Sequence, residues 1–160
     1  MKKILVLLVV LVSLISCNCT KKAAAKNQVS DEKLFTGKSD LILEYTANTR
    51  GFYQKIIIQN QTISVSKDRD GADQPVATKI NDADWKELMT YFEAITLENL
   101  ATFKDPTQKR FYDGAAIADL KITYKDKIYQ SLSFDHGIPP VEIEKLVNKI
   151  NSFIKQTNEN

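Results

Sequence analysis

Apolar and polar residues alternate in three neighbouring stretches of this chain, and that alternation predicts strands. Leu41, Leu43 and Tyr45 fall on one side, with Ile42, Glu44 and Thr46 on the other. Residues 52–59 form an isoleucine-rich second stretch, and residues 62–66 a third, with Ile63 and Val65 on one side. Asn48-Thr49-Arg50-Gly51 reads as a turn, and Asn60-Gln61 as a shorter one, since Asn tolerates positive φ. A four-residue turn at 48–51 pairs residue 47 with 52, setting Leu43 against Ile56 and Leu41 against Ile58. A two-residue turn at 60–61 sets Ile58 against Ile63 and Ile56 against Val65. Both choices gather the apolar residues on one face of a meander, which a one-residue slip would scatter.

Residues 67–78 are polar and read as a loop. Asp68, Asp70 and Asp73 invite a calcium reading, but the twelfth position counted from Asp68 is Lys79. An EF-hand needs a bidentate Glu there and is excluded. A looser calcium loop stands beside the simpler reading of a solvated turn.

A helix follows. Asn81 is placed to cap it, with Asp82 and Asp84 in the first turn. Ile80 and Trp85 fit a hydrophobic staple, and Trp85, Leu88, Met89, Phe92 and Ile95 make the buried stripe. Residues 96–103 read as a short strand or helical turn burying Leu97 and Leu100, and 105–108 as a turn.

A second hairpin occupies 115–134. Ala116, Ala118, Leu120, Ile122 and Tyr124 share one side. Matching them to Ile128, Leu132 and Phe134 requires 124 to pair with 128 across a three-residue loop, Lys125-Asp126-Lys127. Leu120 then faces Leu132 and Ala118 faces Phe134, while Asp119, Lys121, Thr123, Ser131 and Ser133 face water. Pro139-Pro140 opens a second helix, whose stripe is Ile143, Leu146, Val147, Ile150, Phe153 and Ile154. The order of elements predicts an α+β domain: an antiparallel sheet of about five strands with two helices packed on one face.

The chain begins with a different pattern. Lys2 and Lys3 precede a run from Ile4 to Ile15 that is apolar except for Ser13. A basic start, a short apolar core and a small residue before the cut describe a secretory signal. Leu14-Ile15-Ser16-Cys17 resembles the lipobox of bacterial lipoproteins. The resemblance implies lipidation of Cys17 and cleavage before it, giving a signal peptide over 1–16. Residues 17–38 then form the lipidated Cys and a flexible tether, 39–156 one domain, and 157–160 a frayed end. The resemblance also implies a bacterial envelope address. Asn18-Cys19-Thr20-Lys21-Lys22 carries no acidic residue of the kind that marks surface-exported relatives, so the outer membrane facing the periplasm is expected.

Charge narrows the partners. The chain has 22 Lys and Arg against 20 Asp and Glu, and loss of Lys2 and Lys3 leaves the mature chain neutral. Neutrality argues against nucleic acid, which needs a basic footprint. The chain has 2 Cys, and with Cys17 lipidated Cys19 has no partner in its own chain, so the domain should fold as a monomer without a disulfide, cofactor or metal.

No GxSxG, HExxH, CxxC or Walker loop is present. The distinctive stretches are Asp113-Gly114-Ala115-Ala116 and Phe134-Asp135-His136-Gly137 with Pro139-Pro140. In these the domain resembles uncharacterised lipoproteins of Bacteroidetes-type bacteria, which carry D-G-A and F-D-H-G-x-P-P motifs. The resemblance brings no activity or substrate. The hairpin register sets 116 against 136, which brings Arg110, Tyr112, Asp113, Gly114, Asp135, His136 and Gly137 to one corner. The first reading is a non-catalytic, lipid-anchored binding module whose partner is an envelope protein or component. The alternative is an enzyme or metal protein using Asp113, Asp135 and His136. A third account makes the corner a brace, with Asp135 accepting backbone N–H bonds and Asp113 pairing with Arg110 or His136.

Overall fold

The computed structural model describes residues 40–157. Cys17, the signal segment and the tether lie outside the described residues. Seven antiparallel strands form one sheet: β1 (Leu41–Thr49), β2 (Phe52–Gln59), β3 (Thr62–Ser66), β4 (Thr78–Lys79), β5 (Ile117–Tyr124), β6 (Lys127–Gln130) and β7 (Phe134–Asp135). Their order is β4-β3-β2-β1-β5-β6, with β7 continuing alongside β5. Helices α1 (Asp82–Glu93) and α2 (Glu144–Thr157) cover one face. The domain is α+β as predicted, and its sheet is larger than the five strands expected. The two extra strands are two residues long, too short to carry a period.

One core joins the layers. Leu41, Leu43, Tyr45 and Ala47 of β1 meet Ile56 and Ile58 of β2 and Ala118, Leu120 and Ile122 of β5. Trp85, Leu88, Met89 and Phe92 of α1 and Ile143, Leu146, Val147, Ile150 and Phe153 close it from above. Asn81 caps α1 by accepting the Asp84 N–H at 2.9 Å, and both members of the Ile80–Trp85 staple are buried. Residues 97–102 form a 3-10 helix that buries Leu100. The helix α2 starts at Glu144, after a turn in which Ile143 N–H donates to Pro140 O, so the prolines stand before the helix and not inside its first turn.

The β2–β3 register is the one expected, with Ile58 opposite Ile63 and Ile56 opposite Val65. Asn60 and Gln61 both take positive φ, the geometry that suits a two-residue hairpin. The β1–β2 register differs by two residues. Thr49 pairs with Phe52, Leu43 with Ile58 and Tyr45 with Ile56. The loop is Arg50-Gly51 alone, because β5 pairs with β1 as far as Asn48 and keeps that end extended. A shift of two preserves the faces.

The second hairpin departs further. Tyr124 pairs with Lys127, and the loop is Lys125-Asp126, both at positive φ. This one-residue change reverses the faces of β6. Ile128 and Leu132, expected in the core, are 67% and 56% exposed, while Tyr129 packs against the core and Ser131, expected in water, is buried. Ser131 Oγ accepts the Leu120 N–H at 3.0 Å, taking the place of a backbone carbonyl. Residues 131–133 then hold one extra residue relative to β5, a bulge. It restores the expected pairing of Ala118 with Phe134 and returns Phe134 to the core.

Candidate functional site

The bulge fixes the site because it sets how the last strand meets β5. Ile117 pairs with Asp135, and His136 N–H donates to Ala116 O at 2.9 Å. The expected placement of 116 against 136 therefore holds. Successive side chains on a strand point to opposite faces. Phe134 and His136 turn toward the helices, and Asp135 turns the other way. The strand thus divides the predicted corner into two environments.

On the side away from the helices, Asp135 is fully buried beneath residues 105–114. Its carboxylate accepts from Thr107 Oγ1 at 2.5 Å, Lys109 N–H at 2.7 Å and Arg110 N–H at 3.0 Å. The Arg110 guanidinium adds a contact at 3.2 Å and reaches Asp105 at 2.7 Å. Burial alone would push the Asp135 pKa up, but these donors hold it down, at about 2. Asp135 is ionised at neutral pH, and its acceptor capacity is spent on tying the 105–114 segment to the sheet.

Asp113 and Gly114 finish that segment. Lys109–Tyr112 is a 3-10 helix, and Asp113 ends it in the left-handed region at φ 60, with its N–H donating to Lys109 O. A Cβ at Gly114 would lie 3.0 Å from the Tyr112 ring and 3.2 Å from Lys109 O. A larger residue there would have to push the Tyr112 ring and the Lys109 carbonyl aside. Tyr112 projects into solvent. The expected pairing of Asp113 with Arg110 or His136 is corrected here: Arg110 is taken by Asp105 and Asp135, and His136 by Tyr45.

On the helix side, His136 and Gly137 border a hollow of about 460 Å³ between the sheet and α2. Gln54 from β2 and Asn148, Asn151 and Ser152 from α2 supply its polar lining, and Ile154 an apolar part. Gln54 Nε2 donates to Asn151 Oδ1 at 3.2 Å, and Asn151 Nδ2 to Val147 O at 3.0 Å. Tyr45 OH and His136 Nδ1 are 2.7 Å apart. Burial pushes the Tyr45 phenol up to about 12, against hydrogen bonding from the Asn151 side chain and the Gly137 backbone. A phenol held protonated in this way can donate to Nδ1. Burial pushes the His136 pKa down, so the ring is neutral at pH 7. The neutral tautomer compatible with an accepting Nδ1 carries its proton on Nε2. The Phe52 ring lies 5.4 Å from the His136 ring, centroid to centroid.

Of the predicted residues, His136 and Gly137 belong to the hollow, Arg110 and Asp135 to the brace, and Tyr112, Asp113 and Gly114 to the turn beyond it. Asp113, Asp135 and His136 do not converge. Among the described residues, no group of three or more His, Cys, Asp and Glu side chains is placed to hold a metal ion. In the 67–78 loop, Asp68 accepts the Asp70 and Ala72 N–H groups, and Asp73 accepts those of Lys67 and Asp68. These aspartates close a turn.

Sequence reasoning missed Tyr45, Gln54, Asn148, Asn151 and Ser152. One signal was present: Gln54 continues the inward register of Ile56 and Ile58, so a polar group was aimed at the core. Another was the uncharged stripe of Asn148, Asn151 and Ser152 beside the apolar face of α2. No family model, curated protein or solved structure matches this chain. The class it can be placed in is that of its fold: a seven-stranded antiparallel sheet with two helices on one face.

Proposed function

We propose that this chain is a bacterial lipoprotein, held in the outer membrane through acylated Cys17 and facing the periplasm, whose domain is a non-catalytic binding module. Its anchoring rests on the basic start, apolar core and Leu14-Ile15-Ser16-Cys17 sequence. Its binding role rests on one observation, the hollow lined by amide and hydroxyl side chains beside His136. Concave sites with a few oriented polar groups are the usual place for ligands. Its partner is an envelope component.

Two experiments test these parts. Growth with radioactive fatty acid should label the wild type, and Cys17→Ala should leave unlabelled, uncut precursor; normal processing of the variant would refute the anchor. For binding, fractions of envelope extract are titrated into isotope-labelled full chain in detergent micelles. At least one fraction should shift the Asn148, Asn151 and His136 side-chain signals, and Asn148→Trp should abolish the shift. If no fraction moves those signals, the binding role is lost.

A further inference from the structure

The polar lining of the hollow indicates what it takes, given the binding role proposed above. Among the described residues, no Asp, Glu, Lys or Arg lines it, and His136 is neutral at pH 7. A charged ligand would be stripped of water with no opposite charge to meet it. The groups present are three carboxamides, which can donate and accept, and the Ser152 hydroxyl, which donates to Lys149 O at 2.7 Å and keeps its lone pairs for a ligand. The Gln54–Asn151–Val147 chain of hydrogen bonds fixes two of the amides before anything binds. Phe52, 38% exposed, lies tilted against the His136 ring and sets an aromatic side chain at the border of the hollow, beyond its lining.

We infer that the hollow binds a neutral saccharide of one or two rings. Adjacent sugar hydroxyls each donate and accept, as side-chain amides do, and the C–H face of a sugar ring suits an aromatic neighbour. A peptide strand is the less suited occupant. The strand contributing Gln54 is paired on both sides, by β1 and β3, so it offers no free edge for strand addition. The volume of about 460 Å³ lies within the range of small-ligand sites.

The test is saturation-transfer NMR and calorimetry on the full chain in detergent micelles. The probes are glucose, galactose, mannose, N-acetylglucosamine, maltose, lactose and chitobiose, with glucuronate and a capped tetra-alanine as the contrasting classes. At least one neutral sugar should bind. Asn148→Ala should weaken it by about five- to tenfold, the loss of one hydrogen bond. Asn148 is exposed on α2, so this variant should melt with the wild type. Sugar binding that Asn148→Ala does not change would place the sugar elsewhere and overturn the inference. Preference for glucuronate would overturn neutrality. Binding of capped tetra-alanine without any sugar would overturn the saccharide class and leave the module standing. If no probe binds, the saccharide inference fails, while the envelope-fraction titration separately decides whether the hollow binds anything.

Discussion

Asp135 and His136 are adjacent in the chain and opposite in their surroundings. The carboxylate is sealed under the 105–114 segment and bonded to Thr107, Lys109 and Arg110. Removing it would leave the buried Arg110 guanidinium with only Asp105 as an ion-pair partner. Asp135→Ala should cost about 3–5 kcal/mol by urea denaturation, the range for breaking a buried ion pair. A cost under about 1 kcal/mol would show that the brace is dispensable. The acid dependence has a defined sign. The folded-state pKa of Asp135 is lowered from 3.8 to about 2, so its contribution is complete above 3.8 and is lost as pH falls through about 2. Wild type should lose stability across that window, and Asp135→Ala should lose less.

His136 makes a separate prediction. With Tyr45 donating to Nδ1, long-range ¹H–¹⁵N spectra at pH 7 should show the proton on Nε2. A proton on Nδ1 would reverse the direction of the Tyr45 bond.

At the scale of the element, the β5–β6 hairpin shows local geometry prevailing over apolar matching. A three-residue loop would have buried Ile128 and Leu132. The chain instead uses Lys125-Asp126 at φ 51 and 60, a turn whose twist matches that of the strands. Tyr129 covers the core in place of Ile128, and the bulge recovers Phe134. Replacing Lys125-Asp126 by Asn-Gly should raise stability by about 0.5–1 kcal/mol, since those residues accept positive φ with less strain. Ile128→Thr should be nearly neutral, within about 0.5 kcal/mol. A cost above about 1 kcal/mol for Ile128→Thr would restore the three-residue loop. The two helices are joined in a comparable local way. Lys149 on α2 bonds Asp84 at 2.7 Å and also reaches Glu87, both on α1.

At the scale of the molecule, one core serves both the sheet and the helices. Trp85 is 6% exposed, at the start of α1, and packs in the same cluster as the β-strand residues. Trp85→Ala should cost about 3–5 kcal/mol in a single cooperative transition. A loss below about 1 kcal/mol would make Trp85 a surface anchor instead. Loops on both ends are tied to this frame by short polar contacts. Arg69 Nη2 reaches Thr49 O at 2.5 Å from the 67–78 loop, and the Glu44 carboxylate bridges Lys55 and Lys121 across three strands on the outer face.

Elements with strong periods were legible along the chain. The β2–β3 register followed from Asn60-Gln61 and the spacing of the isoleucines. The start of α1 followed from Asn81, Ile80 and Trp85, and the stripe of α2 from its apolar spacing. The convergence of residues 116 and 136 was also legible, because Ala118 and Phe134 had to meet. Tertiary structure decided what period does not encode. A one-residue change of loop turned Ile128 outward, and a bulge at 131–133 then compensated, since strand parity is reset by any inserted residue. It also decided the site. Alternation along β7 sends Asp135 and His136 to opposite faces, so the predicted corner became a brace on one side and a hollow on the other. Gln54, Asn148, Asn151 and Ser152 meet His136 only because α2 lies across β2. Their nearness is a property of packing between distant segments, which a local pattern cannot carry.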